Sequence, residues 1–262
     1  MDPALHRAAE TSGPTQTVGV AVVIPAREEA ERIGETVRSA FALPGVDAVV
    51  VVDDGSRDDT ARLAGEAGAL VRRHRRRRGK GAAMETGAAA VVDLDAAASS
   101  AARPGAPRHL LFLDADLGES AWHAGPLVAP VLRGEADMTV AVLPPQRDSD
   151  GAVPGGRGRV VRLARAGIQR ATGWTPTQPL SGQRCLTRAA FEAARPLAYG
   201  FGVETALTVD LLRRGFRVVE VSVPLAHRVT AADLSGRIHR ARQYAHVRWA
   251  LLRRRRRRRR PR

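Results

Sequence analysis

Short apolar runs recur along the chain, separated by segments in which apolar residues return every three or four positions. Gly19 to Ile24 reads GVAVVI and stops at Pro25, Ala48 to Val52 reads AVVVV, and His109 to Leu113 reads HLLFL. Met138 to Val142 and Arg217 to Val223 add two more. Runs that are apolar on both faces predict buried strands of a mainly parallel sheet flanked by helices. Between them, Ile33, Val37 and Phe41 keep four-residue spacing, and Asp59 to Ala67 opens on acidic residues, as a helix dipole favours. Gly79 to Val92, Trp122 to Leu132 and Gly158 to Ala171 continue the alternation of strand and helix, the signature of a doubly wound α/β domain.

Two stretches break the pattern. Residues 93–107 are rich in Ala, Ser and Pro and predict a surface insertion, and 144–157 mix Pro, Gly, Asp and Arg in a segment too polar for a core. Near the end, Leu234, Ile238, Ala241, Ala245, Trp249 and Leu252 predict an amphipathic helix with that stripe as its apolar face. The expected organisation is a loose segment over 1–17, one α/β domain over 18–230, the amphipathic helix over 231–252 and a disordered arginine tail over 253–262. A length of 262 residues suits one large domain of this kind and is short for two.

Charge sharpens this picture. The formal net charge is +15, and two tracts account for all of it. Arg72, Arg73 and Arg75 to Arg78 supply six charges; Arg253 to Arg260 with Arg262 supply nine. A basic footprint for nucleic acid would spread over one folded face and interleave aromatic residues, which these tracts do not. A terminal tract suits a tail that meets polyanions, an anionic membrane surface among them. Residues 1–17 mix acidic and basic groups without an apolar stretch, so no signal peptide is expected, and no apolar run approaches the roughly 18–20 residues of a membrane span. The lone cysteine, Cys185, excludes an intramolecular disulfide and fits a cytoplasmic, at most membrane-peripheral, protein.

Ligands of open α/β sheets bind beyond the carboxyl ends of the strands, so the polar residues there carry the candidate chemistry. Pro25-Ala26-Arg27-Glu28-Glu29 follows the first strand, Asp53-Asp54-Gly55-Ser56 the second, and Asp114-Ala115-Asp116 the HLLFL run. Acidic groups at three strand ends repel one another unless a cation or hydrogen-bond donors share the crevice. Mg²⁺ is typically held by one or two carboxylates together with substrate phosphates, which suits Asp114 and Asp116 to a diphosphate site. For an isolated Asp-x-Asp a capping or turn role is the commoner explanation; position and company favour metal here. Lys80 is the only lysine in a chain whose other cationic side chains are arginine. Its compact charge on a flexible stem suits a phosphate or sugar oxygen in a crowded site, and Gly79 and Gly81 beside it allow close backbone approach at a helix start. His227, after the last strand, has the chemistry to complete the shell of a metal held by Asp116.

Taken together, these pieces resemble the family 2 glycosyltransferases of the GT-A fold, and more narrowly the glucosyl-3-phosphoglycerate synthases. The likeness runs from about Gly19 to about Arg228 and adds Gln178-Pro179-Leu180-Ser181-Gly182, Gly202-Val203-Glu204 and Ala226-His227-Arg228 to the segments above. The resemblance implies a single GT-A (Rossmann-like) domain with a C-terminal amphipathic helix. It implies a UDP-sugar donor held by Pro25, Ala26, Arg27, Glu29, Asp54, Gly55, Lys80, Asp114 and Ala115. Mg²⁺ or Mn²⁺ would sit on Asp114, Asp116 and His227, and Asp116, Lys80 and Glu204 would be catalytic. The acceptor, small and phosphorylated or hydroxylated, would meet Gly158, Arg159, Ser181 and Gly182. Departures fall mostly on the acceptor side. Phe201 stands where the phosphoglycerate enzymes have tyrosine, Val161 where they have a threonine, and Leu225 and Val229 replace polar or basic residues; Glu28 stands where Asn or Asp is usual. Two other partners stay open: a polyprenyl phosphate at a membrane surface reached through the arginine tail, and a polyanion bound by the arginine tracts. A homodimer is also among the expectations.

Overall fold

In a computed structural model the described residues are 18–99, 106–144, 158–225 and 234–257, the last with side chains described over 241–254. A seven-stranded sheet forms the centre. Its strands are β1 (Val20–Ala26), β2 (Val46–Asp53), β3 (Leu70–Arg73), β4 (His109–Phe112), β5 (Met138–Val142), β6 (Arg184–Leu186) and β7 (Val218–Ser222), in the order β3-β2-β1-β4-β6-β5-β7. All pairings are parallel except those of β6, which runs antiparallel to β4 and β5. The single α/β domain expected from the apolar runs is therefore observed.

The period-two pleat divides each strand between two cores. Val20, Val22 and Ile24 face one core with Ile33 and Val37 of α1 (Ile33–Phe41), and with Leu127 and Val131 of α4 (Gly125–Leu132). Ala21 and Val23 face the other, with Ala83 and Met84 of α3 (Lys80–Ser99), Phe191 of α6 (Arg188–Ala194) and Leu207 of α7 (Val203–Arg213). Helices α2 (Thr60–Glu66) and α5 (Arg159–Thr172) complete the layers, with a 3₁₀ turn over Gly118–Ala124 leading into α4.

Two expectations change. β3 and β6 span four and three residues, too short for a periodic signal to emerge from sequence. The segment expected to be loose from residue 93 is helical through Ser99. Its alanines favour helix, and Asp95 is pinned by Arg108 (Nη1 to Oδ1, 2.6 Å) and Arg188 (Nη2 to Oδ2, 2.9 Å). Most of the polar stretch 144–157 lies outside the described residues.

The last helix, α8 (Leu234–Arg257), departs furthest from expectation. It continues five residues into the arginine tract, and it buries a different face. Val247 and Ala250 are fully buried, Val247 packing with Val160, Ala164 and Leu251 and Ala250 facing Gly202, whereas Trp249 is 43% and Leu252 44% exposed and Ala241 and Ala245 face solvent. Arg254, on the buried side, hydrogen-bonds Asp210 of α7 (Nε to Oδ1, 2.9 Å), and Arg253 stacks over the exposed Trp249 ring at 3.9 Å. Val247, Ala250 and Leu251 together with the Arg254–Asp210 pair define the inward face.

Candidate active site

β1, β2 and β4 deliver their polar exits to one end of the sheet, and antiparallel β6 begins at that same end, with Arg184 opposite Phe112. Asp53 closes β2 fully buried: Oδ1 accepts from Ser56 N at 2.8 Å, and Oδ2 lies 2.9 Å from Arg73 Nε. Asp54 turns to the arginine loop. Its Oδ1 accepts from Arg78 N and its Oδ2 from Gly79 N, both at 2.7 Å, and His74 Nδ1 lies 2.8 Å from Oδ1. Asp54 thereby clamps the first arginine tract onto the start of α3 and fixes where Lys80 begins.

Lys80 is the first residue of α3, and its ammonium bridges two carboxylates, 2.6 Å from Asp114 Oδ1 and 3.2 Å from Glu204 Oε1. Burial works against that charge, but the attraction of Asp114 and then Glu204, with the hydrogen bonds from both, outweighs it and lifts Lys80 above the ordinary lysine range. Lys80 is a fixed cation, unsuited to accepting a proton at neutral pH. The other oxygen of Asp114 accepts from Gln183 Nε2 at 2.7 Å. A Cβ on Gly182 would lie 2.5 Å from Lys80 Nζ and 2.7 Å from Asp114 Oδ1, so any larger residue there pushes on this ion pair.

Two buried devices hold these loops. Thr36 of α1 donates from Oγ1 to Ala115 O (2.9 Å) and accepts from Gly118 N (2.8 Å), while Arg32 Nη1 donates to Asp116 O (3.2 Å). On the other side, the guanidinium of Arg184, 1% exposed, donates to Ser181 O, Glu204 O and Thr208 Oγ1 at 2.8–3.0 Å. It ties the Pro179–Gln183 loop to the first turn of α7. Burial pushes Arg184 down to about 10, against the pull of Glu204, so it stays charged at neutral pH.

A cavity of about 410 Å³ opens beside Asp54, Lys80 and Asp114. Pro25, Ala26, Arg27, Asp54, Lys80 and Asp114 line it as the sequence predicts. So do residues that sequence reasoning missed: Arg77, Tyr199, Gly200, and Arg242 and His246 of α8. Gly182 joins through its contacts with Lys80 and Asp114. Glu29 is at the rim of α1 instead, its N–H donated to Thr60 Oγ1 at 2.9 Å, and Gly55 (φ 80°) packs on the backbone of Arg76 and Arg77. Ala115 and Ser181 are buried and serve the loops. Asp116 is half-buried two residues beyond Asp114 and is not among the lining residues. Gly158 and Arg159, at the exposed start of α5, do not line the cavity either, and His227 lies outside the described residues.

Gln183 was legible only as the neighbour of Ser181-Gly182. Arg242 and His246 carry a clearer signal, a polar pair four residues apart inside a helix, but the apolar stripe along that helix points to a different face as the core side. Glu28 adopts φ 56°, the left-handed region that Asn and Asp enter more readily, which explains why a residue of that kind is usual there.

Residues 21–192 match the profile described as glycosyl transferase family 2. The chain belongs to that family. Over 223 residues it is 28% identical to glycosyltransferase AglJ of Haloferax volcanii, covering 82% of this chain and 65% of that one. It is 32% identical to glucosyl-3-phosphoglycerate synthase of Mycolicibacterium paratuberculosis, with 74% of this chain and 60% of the relative aligned. The chain thus spans less than two thirds of the length of either enzyme. Among solved structures, glucosyl-3-phosphoglycerate synthase of Mycobacterium tuberculosis in complex with Mn²⁺, UDP and phosphoglyceric acid superposes with a TM-score of 0.70 at 26% identity. That superposition covers 90% of this chain and 78% of the other. The same enzyme has also been solved with UDP-glucose.

Proposed function

We propose that the protein transfers a hexose, glucose by the resemblance of its relatives, from a UDP-sugar to a small phosphorylated acceptor. The observation that carries this is Lys80 held between Asp114 and Glu204 in a cavity at the carboxyl ends of β1, β2 and β4. Arg27 and Arg77 add cations to the same wall. Pro25, Ala26 and Asp54 bound the part of the cavity suited to the nucleotide, and the fixed ammonium of Lys80 meets the charge that develops on the departing diphosphate. Glu204, 8% exposed and paired with Lys80, orients that ammonium and stands beside the sugar.

The donor set suits Mg²⁺ or Mn²⁺. Among the described residues no cluster of three metal-ligating side chains exists, and both oxygens of Asp114 accept from Lys80 and Gln183. A hard cation held by one protein carboxylate plus diphosphate oxygens fits this arrangement. Asp116, on a loop clamped by Thr36 and Arg32, would hold it, with His227 as the proposed further ligand. When bound, such an ion neutralises the leaving diphosphate.

A thermal-shift titration tests the donor. UDP with Mn²⁺ at about 100 times Kd should stabilise the native state by about 2.7 kcal/mol. Release of UDP from UDP-glucose should then depend on 3-phosphoglycerate. No shift with UDP and metal would sink the assignment.

The outer face of α8 favours a second reading, in which the acceptor is a lipid phosphate. Trp249, Leu252 and Tyr244 are exposed beside Arg248 and Arg253, an aromatic and basic surface suited to anionic lipid. No helix among the described residues is long and apolar enough to cross a membrane, so this contact would be peripheral. Sedimentation with anionic liposomes, lost on Trp249→Ala and weakened on removal of residues 258–262, supports it; absence of sedimentation at low salt removes it. The same α8 face is a candidate homodimer surface, for which analytical ultracentrifugation decides. The buried thiol of Cys185 is pushed up to about 12 by desolvation and takes no part in the chemistry.

A further inference from the structure

Helix α8 does more than cover the domain. Its inner face meets the Tyr199–Gly202 turn so closely that side chains are excluded there. A Cβ on Gly200 would lie 2.3 Å from His246 Nδ1, and one on Gly202 2.7 Å from Ala250 Cβ. His246 is held on three sides: Nδ1 accepts from Phe201 N at 3.3 Å, the ring stacks on Phe201 at 5.7 Å, and Tyr199 meets it edge-on at 5.6 Å. Because Nδ1 is an acceptor, the ring proton resides on Nε2, which leaves one donor on a residue that lines the cavity. Arg242, one turn earlier on α8, lines the same wall. Glu204 begins α7 immediately after this turn, so α8 abuts the element that carries the Lys80 partner.

The Lys80 ammonium serves the donor's diphosphate and is shared with two carboxylates. A cavity that takes a nucleotide diphosphate and a second anion needs further cations, and those it has are Arg27, Arg77 and Arg242. Arg27 follows Ala26 at the β1 exit and Arg77 backs on Gly55, whereas His246 packs on Tyr199 and Phe201 and Arg242 lies one turn before it on α8. We propose that Arg242 and His246 of α8 form the acceptor's anion subsite, Arg242 pairing with its phosphate and His246 Nε2 donating to an acceptor oxygen. This rests on the glycosyltransferase reading above and replaces Gly158 and Arg159 as the expected acceptor contacts.

Calorimetric titration tests it with two ligands, UDP with Mn²⁺ and then 3-phosphoglycerate into the UDP–Mn²⁺ complex. Arg242→Gln and His246→Phe, which keeps the ring stacked on Phe201, should each weaken acceptor binding by about tenfold, the loss of one charge-assisted or buried hydrogen bond. UDP affinity should stay within about twofold in both, since neither touches the donor wall, and Arg242→Lys should recover part of the acceptor affinity. If the soluble acceptor is not bound, the same variants are titrated with a short-chain polyprenyl phosphate in detergent, where the same losses are expected. Unchanged acceptor affinity in Arg242→Gln and His246→Phe, or an equal fall in UDP affinity, overturns the subsite and leaves the donor assignment standing. A parent protein that does not bind UDP overturns both.

Discussion

The cavity has two kinds of wall. One is made of strand exits: Pro25 to Arg27, Asp54 and Asp114 stand where β1, β2 and β4 leave the sheet, and Lys80 opens the helix that Asp54 anchors. The other is made of a turn and a helix surface, Tyr199 to Phe201 with Arg242 and His246, and it is in place only because α8 packs on α7 and α5. The strand-borne wall inherits its geometry from the sheet core. The helix-borne wall rests on the packing of α8 against α5 and α7, chiefly through Val247, Ala250 and the Arg254–Asp210 pair. Removing a group from the first should cost chemistry, and loosening the second should cost binding.

The largest effect is expected at Lys80. Lys80→Met leaves Asp114 and Glu204 without their shared cation and should lower kcat by about 10²–10³, comparable to losing a preorganised transition-state donor, while leaving the fold intact by circular dichroism. The pH profile sharpens this. Lys80 is raised in the folded protein, so its stabilising charge is complete below the ordinary lysine range and is lost only as pH climbs through the raised value. A Lys80-dependent fall in UDP-glucose turnover between neutral pH and the ordinary lysine range would contradict the ion-pair geometry.

Next comes Arg184→Met, which strips the guanidinium from Ser181 O, Glu204 O and Thr208 Oγ1 at the centre of the molecule. Leaving such acceptors buried should destabilise by about 3 kcal/mol in urea denaturation, with kcat falling as Glu204 shifts. Arg254→Ala separates the walls more finely. It frees α8 from Asp210 and should cost about 1–2 kcal/mol of stability and weaken the acceptor more than UDP. Equal weakening of both ligands would mean that the walls are not independent. Smallest is Glu28→Asn. It relieves a left-handed backbone at φ 56° and should raise stability by about 0.5–1 kcal/mol with no change in turnover, provided the bond from Arg57 N to Glu28 Oε1 at 3.1 Å is dispensable.

The strand-borne wall was legible because its signals are local. A β-branched run ending in Pro or Asp marks a buried strand and its exit, and a lone lysine among arginines marks a selected charge. The two short strands were not, since three or four residues carry no period. Nor was the partner of Asp114. Gln183 reaches it because β6 inserts antiparallel beside β4, and a strand's direction in a sheet is set by the whole topology.

From its amino acids alone this chain determined an α/β domain and the carboxylates and lysine at its strand ends. Backbone hydrogen bonding and the burial of apolar runs act over a few residues, so they are written locally. Only the tertiary structure decided that α8 turns Val247 and Ala250 inward, exposes Trp249, and brings Arg242 and His246 to the cavity. Which face of a helix packs depends on how closely the opposing backbone approaches. Gly200 and Gly202 admit that approach from more than forty residues away, beyond the reach of any pattern read along the helix itself.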